Sequence, residues 1–209
     1  MSSFSRGKGP RRPPASPTPI RTAPVVRARP PVTWSADARV EAMQPTVADL
    51  GVSLSLERQT LLARYMGMLQ HWNSTYNLTA LRDAPDMLTH HLADCLAVLP
   101  PLGRHLAKRR AAGGAQPARV LDVGSGGGLP GVVLAICCDD VHVTCVDTVG
   151  KKAAFIRQVA AELRLLNLKA EHARVEQLKA SFDVVTSRAF ASLADFVGLT
   201  QALLAPGGV

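Results

Sequence analysis

Residues 118–131, ARVLDVGSGGGLPG, constrain the fold more than any other part of the chain. Val120, Leu121 and Val123 are β-formers suited to a buried strand. Gly124, Gly126, Gly127, Gly128 and Gly131 follow in quick succession, and a helical run, GVVLAICC, opens just after Pro130. Proline is accepted in the first turn of a helix, where its missing N–H costs nothing. The expected unit is strand, glycine turn, helix. The glycines let the backbone take positive φ and approach a ligand closely. Unpaired N–H groups at the helix start then offer hydrogen bonds to that ligand.

Two ligand classes fit this turn. Gly126, Gly128 and Gly131 have the G-x-G-x-x-G spacing of a dinucleotide site. Read from Asp122, the same residues give D-x-G-x-G-x-G, a pattern of S-adenosylmethionine (SAM) sites. A carboxylate at Asp122, at the mouth of the turn, repels a pyrophosphate and suits the cationic sulfonium and ammonium of SAM. That charge argument favours SAM over a nicotinamide dinucleotide.

Charge is unevenly placed. The formal net charge is +8, yet residues 1–36 hold seven basic residues and no acid, leaving +1 for the remainder. The basic balance therefore describes a Pro-, Ser- and Arg-rich tail, expected to be disordered over residues 1–45. Such a tail either adds non-specific charge against an RNA backbone or is a solvated extension. The longest apolar run, residues 131–138, is far short of the roughly 20 residues that span a bilayer. With no secretory signal pattern, a cytoplasmic protein without membrane attachment is expected. Cys95, Cys137, Cys138 and Cys145 lack metal-ligand spacing and read as reduced thiols, so no metal is expected.

Around the glycine turn the chain divides in two. Residues 46–116 read as a helical module and connector. Leu61, Leu62, Tyr65, Leu69 and Trp72 repeat at helical spacing, and a second helix is expected from Asp83–Pro85 until Pro100 and Pro101 stop it. A basic Gly/Ala-rich connector is expected at 104–116. Residues 117–209 alternate strand and helix, with strands at 142–146, 168–173 and 182–187 and helices at 151–165 and 193–204. Repeated βα units imply a doubly wound parallel α/β sheet of Rossmann-like type. Its ligand belongs at the carboxyl ends of the strands, beside the strand-order switch.

Asp147, at the end of the second strand, is placed to accept ribose hydroxyls, or to cap the following helix. Arg174, Val175 and Glu176 follow the third strand, where they either read an adenine edge or form a surface turn. Arg188 follows the fourth, a good position for holding a carboxylate or a phosphate.

The strings HWNSTYNLTALRDAPDMLTHHLADCL, LDVGSGGGLPG, VDTVGKKAAFIRQVAAEL, ARVEQL and TSRAFASLADF together resemble the RsmG family, also called GidB. That family comprises bacterial SAM-dependent methyltransferases acting at N7 of a guanine in 16S ribosomal RNA. The likeness runs from about residue 53 to 209. It implies SAM contacts at Gly124, Leu129, Val175, Glu176 and Arg188, joining Asp122, Gly126 and Asp147 argued above. It implies a substrate side shaped by Asn73, Asn77, Thr79, His91 and Asp94, with Lys151, Lys152 and Arg157 for RNA phosphates. Alternatively, the asparagines brace a turn, His91 and Asp94 form a structural pair, and the lysines are a solvated helix start.

The implied partner is 16S rRNA or the small ribosomal subunit, met by a monomer. Methylation at N7 needs no general base, so no catalytic residue is named. The resemblance also implies a sheet continuing past residue 209. The C-terminal strands are therefore expected to be truncated, with an open edge on the fourth strand. A shortened, inactive or RNA-binding remnant is the alternative function.

Overall fold

The computed structural model describes residues 34–79, 84–114, 116–188, 190 and 192–209. The basic tail before residue 34 and the cap expected at Asp83 lie outside the described residues. The expected tail boundary at 45 is corrected by a helix, α1 (Ala36–Asp49). Ser35 accepts a hydrogen bond from the Ala38 N–H at 3.1 Å, and Asp37 complements the helix dipole. Met43 and Val47 are buried against α2 (Leu56–Tyr76), and the buried Arg39 donates to Gln70 Oε1 at 2.9 Å. Pro45 and the absence of a clear apolar stripe hide this helix in the sequence.

Ser55 caps α2, and Asn77 ends it in the left-handed conformation. Leu62, Tyr65 and Leu69 are fully buried on its inner face. A short α3 (Ala84–Asp86) runs into a π-helical stretch, Met87–Leu92, and on into α4 (Ala93–Ala97). Pro100 and Pro101 do not end the helical region, as expected, but open α5 (Leu99–Ala111). The expected 104–116 connector is therefore largely helix. Its last turn carries Lys108, Arg109 and Arg110, which suit the negative end of the dipole.

The sheet consists of β1 (Ala118–Val123), β2 (Val141–Asp147), β3 (Leu168–His172) and β4 (Val184–Ser187), all parallel, in the order β3-β2-β1-β4. Between them run α6 (Gly131–Cys137), α7 (Gly150–Glu162) and, after β4, α8 (Leu193–Thr200). The chain winds outward from β1 to β3, then returns to the other side of β1. The switch point lies between β1 and β4. Alternation along β1 serves two cores: Val120 packs with α2, α6 and α7 on one face, and Leu121 and Val123 pack with Phe182 and Leu203 on the other.

Asp183 ties α5 to the sheet. It accepts from Arg109 Nη2 at 2.8 Å and from the Arg119 N–H at 2.7 Å. The open edge expected on β4 is partly covered by the chain's own last residues. The Phe182 N–H donates to Leu203 O and the Val185 N–H to Val209 O, both at 2.7 Å. Among the described residues no helix is long and apolar enough to cross a membrane.

Candidate functional site

The glycine turn sits at the carboxyl end of β1, and its backbone is stitched to β2. Val146 O accepts the N–H groups of Gly124 (2.9 Å) and Ser125 (3.2 Å). Gly124 has φ 67° and lies exposed, so its backbone faces outward with no Cβ in the way. Gly131 is among the tightest points of the turn. A Cβ there would stand 2.4 Å from Cys145 Sγ and 2.8 Å from Asp122 Oδ2.

The sequence pattern puts Asp122 at the mouth of the turn; the structure puts it underneath. Asp122 is fully buried, and its Oδ2 accepts the Gly131 N–H at 2.9 Å. Burial pushes its carboxyl up to about 7 against the pull of that bond and of Ser125. Its Oδ1 has no partner among the described residues. Asp122 therefore pins the turn to the start of α6. The charge argument separating SAM from a dinucleotide loses its premise, because it needs Asp122 at the mouth of the turn and the carboxylate lies buried beneath the loop.

A cleft of about 370 Å³ opens over the ends of β1 and β2. Gly124, Asp147, Val175 and Glu176 line it, so four of the expected cofactor residues converge. Lys152, Phe190 and Leu199 also line it, and the Phe190 ring stands edge-on to Phe196 at 5.5 Å. Asp147 Oδ2 accepts the Gly126 N–H (2.9 Å) and Oδ1 the Val149 N–H (2.8 Å). It thus holds both the glycine turn and the start of α7. A carboxylate has about four lone-pair sites, so capacity remains for hydroxyl donors. Leu129 does not reach the cleft: its side chain is buried in the core. Gly126 contributes its N–H to Asp147 and not to the lining.

Arg188 stands apart from that lining, at the end of β4, between the sheet and the helical module. Its Nη1 is 2.8 Å from His91 Nδ1 and 3.9 Å from Asp94 Oδ2. His91 Nε2 meets Thr79 Oγ1, and the Thr79 N–H donates to Asn73 Oδ1 at 2.8 Å. Asn73 is buried at 2% exposure, and with Asn77 it braces the turn after α2. Burial, reinforced by the Arg188 charge, lowers His91 to about 4.

The basic candidates leave α7 in three different directions, toward α2, the end of β2 and β3. Lys151 Nζ lies 5.3 Å from the centre of the Tyr76 ring, and Lys152 Nζ is 3.9 Å from Asp147 Oδ2. The exposed Arg157 donates through Nε to Ala170 O at 3.0 Å.

Two features lay outside the sequence reading. The buried Tyr65 donates its hydroxyl to Gly127 O at 2.7 Å, so α2 holds the glycine turn from below. In the sequence Tyr65 is one more member of an apolar stripe. The second is the link from His91 to Arg188, whose partners are 97 positions apart. A wider depression of about 550 Å³ lies at the amino ends of the strands, near Arg58, Asp139 and Arg164, and brings none of the candidates together.

Residues 58–209 match the family GidB, described as rRNA small subunit methyltransferase G. Three similar curated proteins carry the name ribosomal RNA small subunit methyltransferase G. The one from Acidovorax sp. (strain JS42) is 60% identical over 161 residues, covering 77% of this chain and 71% of its own. That from Leptothrix cholodnii is 59% identical, with 76% and 70% covered. That from Paracidovorax citrulli is 53% identical over 182 residues, with 85% and 75% covered. With a doubly wound sheet, a cleft over the carboxyl ends of β1 and β2 and this breadth of identity, the chain belongs to the rRNA small subunit methyltransferase G family.

Proposed function

We propose that the protein transfers a methyl group from SAM to N7 of a guanine in 16S ribosomal RNA, acting as a monomer in the cytoplasm. The observation that carries this reading is the cleft at the ends of β1 and β2. There, in a chain of this family, Gly124, Asp147, Val175 and Glu176 meet. The lining suits an adenosine-bearing ligand: two carboxylates for hydroxyl and amino donors, an exposed glycine backbone, and apolar surface from Val175, Phe190 and Leu199. When bound, SAM supplies an electrophilic methyl group on a sulfonium. Asp147 would hold the ribose, Val175 and Glu176 the adenine, and Arg188 the carboxylate of the methionine part.

Guanine N7 carries an unprotonated lone pair, so the protein has no proton to remove. Its work is to orient donor and acceptor in line and to exclude water. N7 in an A-form duplex faces a groove too narrow for side chains, so the base must be unpaired or extruded. Lys151, Lys152 and Arg157 on α7 would meet the phosphates beside it. Asn73 and Asn77 would shape that entrance by fixing the turn.

The test is transfer of labelled methyl from SAM to purified small ribosomal subunits lacking the modification. Label in 16S rRNA at guanine N7 supports the reading; no label in rRNA ends it, and label elsewhere on the base overturns the target atom. Glu176 is exposed, so Glu176→Ala should fold normally and raise the KM for SAM about tenfold through the lost charged hydrogen bond.

A further inference from the structure

We infer that His91 is the positioning residue for Arg188, setting the direction in which its guanidinium faces the ends of β1 and β4. The inference rests on the reading that Arg188 meets the carboxylate of SAM. A guanidinium has only donors, so at 2.8 Å His91 Nδ1 must accept from Arg188 Nη1. The ring proton then sits on Nε2 and is donated to Thr79 Oγ1. Thr79 is held in turn by Asn73, through the 2.8 Å bond from its N–H. The direction of every bond is thereby fixed, from the turn after α2, through the π-helical stretch, to the end of β4. A π-helical stretch inside a helix is itself a frequent mark of a functional site.

The identity of the partner matters. A carboxylate against Arg188 would orient it but also neutralise much of its charge. A neutral imidazole orients it and leaves the positive charge for an incoming anion. The groups facing His91 are Arg188, Asp94 and His90; Arg188 and burial together keep the ring uncharged at neutral pH. Asp94, at 3.9 Å with its side chain 65% exposed, is too distant and too well solvated to take over this role. Both contacts use Nη1, so Nη2 and Nε are without partners among the described residues.

The experiment compares two amides of different reach. His91→Asn places an acceptor near the position of Nδ1 and can keep the Arg188 bond. His91→Gln places its amide near Nε2 and can keep Thr79 but not Arg188. Purified proteins are checked for equal melting, then titrated with SAM and assayed for methyl transfer, alongside Arg188→Met. His91→Gln should weaken SAM binding about tenfold, and His91→Asn by no more than about threefold. Adding Arg188→Met to His91→Gln should cost nothing beyond Arg188→Met alone. Equal losses in the two His91 variants, or losses that multiply in the double variant, overturn the inference. Should Arg188→Met raise the KM for the ribosomal subunit and leave SAM binding alone, the SAM role of Arg188 falls. Non-additivity in that KM then decides whether His91 still positions Arg188.

Discussion

The turn after β1 and the corner around Arg188 flank the same strand ends but are held by different means. The turn is fixed mainly from within its own unit, with Tyr65 of α2 as a brace: Asp122 reaches Gly131 nine positions on, and Val146 on the adjacent strand accepts two of the turn's N–H groups. The Arg188 corner is fixed by side chains arriving from the helical module, 97 positions earlier in the chain. One part is built of backbone and tolerates almost no change of volume at Gly127, Gly128 and Gly131. The other is built of hydrogen-bond directions and tolerates change that preserves donors and acceptors. Substitutions should therefore divide: in the turn they should act on stability and cofactor affinity together, and at the Arg188 corner on affinity with little change in stability.

The largest effect should come from Gly131→Ala. The added methyl would lie 2.4 Å from Cys145 Sγ and 2.8 Å from Asp122 Oδ2, and both neighbours are buried. Overpacking of this kind costs about 3 kcal/mol, or about 6–12 °C in melting temperature for a chain of this size. If the clash is the cause, Cys145→Ala in the same chain should restore a substantial part of the loss. A double variant melting no higher than Gly131→Ala alone would put the constraint in the backbone instead.

This contrast also governs what was legible in the sequence. The turn announced itself because strand, glycines and Pro130 are adjacent in the chain and each has a local conformational meaning. The parallel sheet followed from repeated βα spacing, and Asp147, Val175 and Glu176 from their places after strands. Depth was not legible. The pattern D-x-G-x-G-x-G does not say whether Asp122 faces the ligand or the core; that depends on which face of β1 the strand's last residues present. α1 is hidden in the sequence because a tail rich in proline and arginine runs straight into it. Pro100 and Pro101 read as a stop when they are a start, since proline suits either side of a helix boundary. The bond between His91 and Arg188 had no sequence signal, because its two ends meet only after the sheet has wound back past β1.

A second effect, intermediate in size, isolates Asp122. Its carboxyl titrates near 7 in the fold, far above an unfolded aspartate, because burial penalises the charge. The folded state thus binds the proton more tightly, and the stability this confers is present at low pH and lost as pH rises from about 4 through 7. Asp122→Asn keeps an acceptor for the Gly131 N–H and cannot ionise. The stability of the variant relative to the parent should rise by about 2 kcal/mol between pH 5.5 and 8. His91 works in the opposite direction, its lowered value costing stability as pH falls from 6.5 through 4, but it is common to both proteins and cancels in their difference. Denaturant titrations at the two pH values measure this directly, and a constant difference would mean that Asp122 is not the titrating group.

The smallest effect tests a hydrogen bond from the helical module to the turn. Tyr65→Phe removes the hydroxyl that donates to Gly127 O and leaves the ring and its packing in place. Gly127 O then loses a partner in a buried setting, which costs about 1–2 kcal/mol. Because the turn is otherwise self-supporting, most of that cost should fall on stability and little on SAM affinity. A shift of threefold or more in SAM affinity, with melting unchanged, would show that α2 sets the shape of the turn instead of bracing it. The division between a locally built turn and a remotely built corner would then disappear, since both would depend on the helical module for their geometry.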